Sequence, residues 1–428
     1  MNFDCFEHLK GENEYLEACI NDCCAAERCV RVTPGDTAIY ARRAIENLFK
    51  DQSKRHNTRP ANLAESIQLN CDALTTDSEL VRQKADEIRK VGNRAVHPTS
   101  GKQKGGQDVF ADIDAETKKN IAQAMSIVKD LFDLLCLLHG NPAGHEFDEM
   151  LVPFGQYFIE RRISSPGAGL EDDYFVYRES GYRVHYYLQY LSWGEAIEFQ
   201  QRQMEANRRV YENYTHGSRL CLPDLVLSLT CNSDCKLLLY SARAQSKLLS
   251  ELDKPMTMRQ AMKLGMDICD ALLELKKLGM HHRNIFPASI LLNKTGDDHY
   301  EALLLNLQTS KILDSTRTVN TRLAAACDSN LYIPNFLRLQ NINGSEWEKV
   351  DVHALARVVL FCLNRKLAYA TSVGSFSMYT NVKFSPRLRE LYTKLFYRDP
   401  GMQHVPSVQE LREVFAYEYD HCNESPNR

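Results

Sequence analysis

Residues 257–292 constrain the fold of this chain more than any other stretch. Thr257 to Gly279 carries apolar residues at helical spacing and closes on a glycine, which reads as one amphipathic helix with a firm stop. Met280-His281-His282-Arg283-Asn284 follows as a polar turn, then Ile285-Phe286-Pro287-Ala288-Ser289, then Ile290-Leu291-Leu292 as the start of a buried strand. A helix delivered through so short a turn into a strand predicts a unit that mixes helices with a sheet.

The chain has 428 residues, a length for two or three units that each bury a core. Its 44% hydrophobic and 25% charged content are those of a globular protein, and a net charge of -4 gives no reason to expect nucleic acid as an obligatory ligand. No basic-plus-apolar leader opens the sequence, and the most apolar run, Leu131 to Leu138, is too short to cross a bilayer, so a cytoplasmic protein without a membrane anchor is expected. Fourteen cysteines then read as reduced thiols. Cys19, Cys23, Cys24 and Cys29 gather on one predicted helix, with Cys5 and His8 upstream, but the two-plus-two spacing of a zinc site is missing and no metal is expected.

Residues 1–140 are helical by pattern, with helices expected over about 12–32, 38–50, 63–73, 78–96 and 113–138 and a polar loop over 53–61. Thr99 to Gln107 is Gly-rich and Lys-bearing, but its irregular glycines open no helix with Lys-Ser or Lys-Thr, so it reads as a loop and not as a phosphate cradle. In Ile88 to Pro98, Arg89, Asn93 and His97 fall within about 80° of one another on one helix face, which Pro98 ends. Arg89-Lys90-Val91-Gly92-Asn93-Arg94-Ala95-Val96-His97 resembles the signature of the HEPN-like domain of unknown function found near the N-termini of type I restriction R subunits. The resemblance implies a helical interaction domain that pairs face to face, hence a homodimer through residues 1–140. Some HEPN relatives are metal-independent RNases that use an Arg and a His on one helix. Arg89 and His97 are spaced more widely than in that nuclease motif, so a structural or contact role for Asn93 and His97 ranks ahead of RNA cleavage.

Residues 141–152 read as a linker, and beyond it the pattern changes to short alternating runs. Strands are expected over 156–163, 174–177 and 182–190, a helix over 193–214, and a strand pair over 222–229 and 236–240 with Cys231 to Cys235 at its turn. With the helix-turn-strand of 257–292, this order resembles a protein kinase. Gly279 to Leu292 looks like the catalytic loop His-Arg-Asp-Leu-Lys-Pro-x-Asn-Ile-Leu-Leu, and Trp347 to Leu363 resembles the helix whose Asp holds that loop, here Asp351. In the family the loop's Asp accepts the substrate proton and its Asn holds a metal ion.

The reagents are replaced. The Asp and Asn positions read Asn284 and Ser289, the Lys position reads Phe286, and the Asp-Phe-Gly metal ligand reads Asn306 with Gln308 at the glycine. Ser164 to Asp173 offers two glycines and then three acids where phosphates would approach, and no lysine occurs between Leu151 and Cys235 to meet them. His185, Tyr187 and Gln189 are the polar groups left on the third strand, and Glu205, the helix glutamate, would lack its lysine. Leu331 to Asn335 stands where Ala-Pro-Glu is expected. The framework residues His282, Arg283, Pro287, Asp351, Asp399 and Pro400 are kept.

The expected architecture is multidomain α + (α+β): an all-α helical bundle over 1–140, then a bilobal protein-kinase-like domain with a β-rich lobe over 153–240 and a mostly helical lobe over 241–428. The expected function is that of a pseudokinase scaffold or regulatory sensor with no cofactor and an unknown protein partner. The alternative is a HEPN-type RNase acting on RNA through Arg89, Asn93 and His97.

Overall fold

The computed structural model describes residues 1–74, 76–96, 109–163, 173–179, 182–192, 197–213, 221–222, 225–231, 235–296, 299–307, 310–313, 332, 346–364, 384–396 and 405–422. Helices fill the N-terminal region and a sheet-containing region follows, a mixed α/β chain. His97, Gln308, Asp399, Pro400 and the glycines of 164–172 lie outside the described residues.

The N-terminal unit opens with a 3-10 helix, Asn2–Gly11, that the sequence pattern does not announce, and Phe3, Phe6 and Leu9 bury its inner side. Then come α1 (Glu14–Cys29), α2 (Pro34–Arg55), α3 (Leu63–Asp72), α4 (Ser78–Val96) and α5 (Val109–His139). Asn13 caps α1 by accepting from the amides of Tyr15 and Leu16, and Pro34 starts α2, where its missing N–H costs nothing. α2 runs into the stretch expected to be a polar loop. Ser53 is buried, its hydroxyl 3.0 Å from that of Ser66 and bonded by the Asn70 amide, so α3 supplies the partners that carry the helix past Lys50. Gly92 of α4 lies directly against α2: a Cβ there would meet Arg42 Cβ at 2.6 Å and the Ala38 carbonyl at 2.9 Å.

After two 3-10 turns, Pro142–Gly144 and Glu149–Leu151, five strands form an antiparallel sheet in the order β1-β2-β3-β5-β4: β1 (Phe158–Ile163), β2 (Asp173–Glu179), β3 (Arg183–Ser192), β4 (Leu225–Cys231) and β5 (Cys235–Ser241). α6 (Ile197–Glu212) joins β3 to β4. Cys231 pairs with Cys235 across the β4–β5 ladder, the placement expected of a hairpin tip.

Thr257 and Gln260 form a capping box that starts α7 (Met258–Lys277), and Gly279, at φ +69°, ends its turn. Short β7 (Met280–His281) pairs with β10 (Lys311–Ile312), and β6 (Lys247–Leu248), β8 (Ile290–Gly296) and β9 (His299–Leu304) make a three-stranded sheet. α8 (Trp347–Asn364), α9 (Pro386–Phe396) and α10 (Val408–His421) complete the described chain. α7 packs on α8, α10 and β9, and Gly265 admits the Phe415 ring so closely that a Cβ would sit 2.6 Å from it. Among the described residues no helix is long and apolar enough to cross a membrane.

Candidate functional site

The turn after β7 is held by one carboxylate. Asp351, on α8, accepts the amide of His282 at 2.9 Å and that of Arg283 at 2.6 Å, one on each oxygen. Arg283 takes a left-handed backbone, φ 69°, which a non-glycine residue keeps only where its surroundings over-determine it. Its guanidinium lies 4.0 Å from the Trp347 ring centroid, and burial holds its pKa down to about 10. The charge of Arg202 on α6 adds to that lowering of Arg283, and burial, then the charges of Arg283 and Arg202, hold Lys311 of β10 below its ordinary value. Burial also pushes Asp351 up to about 7, against the pull of the two amides and of Arg283.

His282 ties the turn to the chain just beyond β9. Its Nε2 lies 2.7 Å from the Leu305 carbonyl, and its Nδ1 accepts the Asn284 amide at 3.2 Å. Loss of water holds its pKa down to about 4, so the ring is neutral. Asn284 is buried, and its Oδ1 has no partner among the described residues. Pro287 begins a single 3-10 turn, Pro287–Ser289, whose stability explains Ser289: the Ser289 hydroxyl donates to the Phe286 carbonyl at 2.8 Å and accepts the Phe286 amide at 3.0 Å. Ser289, where no metal is expected, caps the backbone of its own turn.

Asn306 is likewise committed. It sits at φ 65°, a conformation asparagine tolerates better than most residues, and its Oδ1 accepts a hydrogen bond from Gln189 Nε2 on β3. Gln189 and Asn306 are 4% and 3% exposed. On the same face of the sheet, Tyr187 donates to Asp173 Oδ2 at 2.5 Å, and Asn207 of α6 donates to the Tyr240 hydroxyl at 2.9 Å. Glu205 is paired with Arg202 at 3.1 Å.

A strap crosses this face. Arg161 of β1 places its guanidinium 4.0 Å from the Phe175 ring centroid, donates to the Ser246 carbonyl at 2.9 Å and forms an ion pair with Glu251. The Arg243 amide is bonded to the Ser246 hydroxyl at 3.0 Å, and that hydroxyl donates to Asn293 Oδ1 at 2.6 Å. Sequence reasoning passed over Arg161 and Glu251, since two opposite charges ninety residues apart give no local signal. Gln189 was visible as one of three polar groups on its strand, but its partner was not.

On α4, Arg89 and Asn93 are half-buried, and Arg89 donates to Asp86 at 2.9 Å within the same helix. His97, the third member of the predicted face, lies outside the described residues. Lys84, one turn earlier, bonds Asp130 and Asp133 of α5 and fixes the two helices together.

The cysteine group on α1 divides. Cys19 and Cys23 are core residues, while Cys24 lies with Asp4 and Glu7, their ligand atoms within 4.8 Å of one another. Asp4 already holds the terminal ammonium at 2.6 Å, Glu7 holds Lys10 at 2.7 Å, and burial pushes the Cys24 thiol up to about 11, so this grouping carries its own cations and disfavours a thiolate.

No protein-family profile matches this chain, and no curated protein matches it.

Proposed function

We propose that this chain is a non-catalytic, kinase-like scaffold or regulatory sensor whose sheet-containing region is a bilobal pseudokinase and whose helical unit is a HEPN-like interaction and dimerisation module. The observation that carries the reading is the buried amide pair Gln189–Asn306. On this reading the pair takes the place of a kinase's strand lysine and metal-binding aspartate, and it brings no charge to either phosphate or Mg²⁺. Ser289 supports the same reading, because its hydroxyl is used by Phe286 at both its donor and acceptor sides. So does the Arg161 strap, which stacks on Phe175 and ties β1 to Ser246 and Glu251 on the same face of the sheet as Gln189. The framework survives for a mechanical reason: Asp351 takes two buried amides of the turn, and without it the helical lobe would lose its central tie.

RNA cleavage ranks second. Its face would be Arg89, Asn93 and His97, and the engagement of Arg89 with Asp86 adds nothing in its favour.

The test is thermal unfolding with and without ATP and Mg²⁺ or Mn²⁺. The expected result is an unchanged midpoint. A stabilisation that grows with nucleotide concentration, as mass action requires of a ligand bound to the native state, would overturn the reading.

A further inference from the structure

β3 has two faces with different neighbours. Tyr186 and Leu188 join an apolar cluster with Phe154, Tyr157, Tyr174, Val176 and Leu239 of the sheet region and with Val32 and Ile121 of the helical unit. Because successive strand residues point to opposite faces, Tyr187 and Gln189 look the other way, into the main core and toward Asn306. β2 repeats the arrangement. Tyr174 stands directly opposite Leu188 on the outer face, while Asp173 and Phe175 lie on the inner one, where Asp173 accepts from Tyr187.

The helical unit grips the outer face through one residue above all. Arg31, just past α1, donates to the carbonyls of Val152 at 3.2 Å and Glu149 at 3.1 Å, and its guanidinium lies 5.1 Å from the Phe154 centroid and 5.9 Å from that of Tyr174. Asn2 adds a reciprocal pair with Asp148, donating to its carbonyl at 2.9 Å and accepting its amide at 2.8 Å. The segment expected to be a linker is therefore clamped on both sides of its second 3-10 turn, at Asp148 and at Val152, and the two regions share a packed interface.

We propose that the seat of the helical unit on the outer sheet face governs the Gln189–Asn306 pair, so that a protein engaging the helices acts on the cleft through β2 and β3. The proposal rests on the reading of that pair, under Proposed function, as the uncharged replacement for a kinase's nucleotide cleft. Its physical basis is the cross-strand pair Tyr174–Leu188, whose immediate chain neighbours are Asp173 and Gln189. Packed interiors have no slack to absorb a shift, so a displacement of the outer pair moves the inner residues with it. Arg31 is the point of leverage, since all four of its contacts fall on residues 149–174.

The experiment is hydrogen exchange by mass spectrometry on the full chain, wild type against Arg31→Ala. Exchange over β2, β3 and residues 299–307 is expected to rise by about tenfold or more, with α7 and α8 unchanged. Arg31→Lys keeps the cation but loses the forked donation, and gives a smaller rise in the same segments; it carries the comparison where Arg31→Ala does not fold. Asn70→Ala loosens the contact between α2 and α3 away from the sheet and leaves 299–307 as in wild type. A rise confined to residues 141–163, or an equal rise at 299–307 in Asn70→Ala, overturns the coupling. Stabilisation of the wild type by ATP would instead overturn the reading of the cleft, and the two failures are told apart because they come from separate measurements.

Discussion

On α4, Arg89 and Asn93 stand half-buried at a surface, the arginine answered by an aspartate one turn away on its own helix. In the loop after β7 and the strand end facing it, Asn284, Ser289 and Asn306 are each 6% exposed or less. Two of the three spend their side chains on this chain's own groups, Ser289 on Phe286 and Asn306 on Gln189. Polar residues at a surface can be exchanged at little cost, whereas buried ones must be satisfied locally or destabilise the fold. The loop's polar side chains therefore serve largely as architecture, while Arg89 and Asn93 stay partly accessible on α4.

The sharpest way to break this contrast is to remove the carboxylate that anchors the loop. Asp351→Ala leaves the amides of His282 and Arg283 buried without an acceptor and the Arg283 guanidinium without its opposing charge. Losing one partner of a buried charged pair costs about 3–5 kcal/mol, and a urea titration should find a loss of that size. A change below about 1 kcal/mol would mean that water reaches the turn and that the loop is no better buried than a surface.

Acidification tests the same region next. His282 and His353 are neutral in the fold, held down to about 4 and about 3 by burial, and His281 is lowered for the same reason. Unfolded, each takes up a proton near 6.5, so the stability they contribute is complete above that pH and is lost as pH falls toward their folded values. Asp351 opposes them. Raised to about 7 from an ordinary value of 3.8, it contributes most at low pH and loses that contribution as pH rises through 7. His282 and His353 set against Asp351 contribute an uptake of about one proton on unfolding between pH 6.5 and 4.5, about 1.4 kcal/mol per pH unit toward lower stability as the solution is acidified. Replacing His282 and His353 by Gln should flatten the measured pH dependence over that range; a pH profile unchanged by the two substitutions would show the histidines already charged in the fold and the loop wet.

Much of this is legible in the sequence. The helix from Met258, its glycine stop, and the strand from Ile290 follow from periodicity and punctuation, because those signals act within a few residues. The clamp on the turn could be expected from Asp351 only through resemblance. What stayed hidden is everything decided by chain distant in sequence. Ser53 extends α2 because Ser66 and Asn70 meet it from α3; Gln189 is paired because Asn306 arrives from far downstream; and Arg31 looks like any arginine at a helix end until Phe154 and Tyr174 come under it. The 3-10 helix Asn2–Gly11 escaped for a related reason: its Phe3 and Phe6 pack edge-on against Phe132 of α5, a contact that no local pattern encodes.

The smallest effects separate backbone packing from surface chemistry within α4 itself. Gly92→Ala would gain helix propensity of about 1 kcal/mol, yet its Cβ would stand 2.6 Å from Arg42 Cβ and 2.9 Å from the Ala38 carbonyl, and backbone cannot swing aside. Overpacking of this kind costs about 1–3 kcal/mol, so the substitution should destabilise on balance, with α2 and α4 forced apart. Three residues earlier, Arg89→Ala removes a partly exposed i,i+3 ion pair and should cost less than about 0.5 kcal/mol. Urea titrations of both variants decide the matter. If Arg89→Ala proves the more damaging, that side chain is structural and the helix face is not a free surface; if Gly92 alone matters, that glycine serves the α2–α4 approach while Arg89 carries little of the fold.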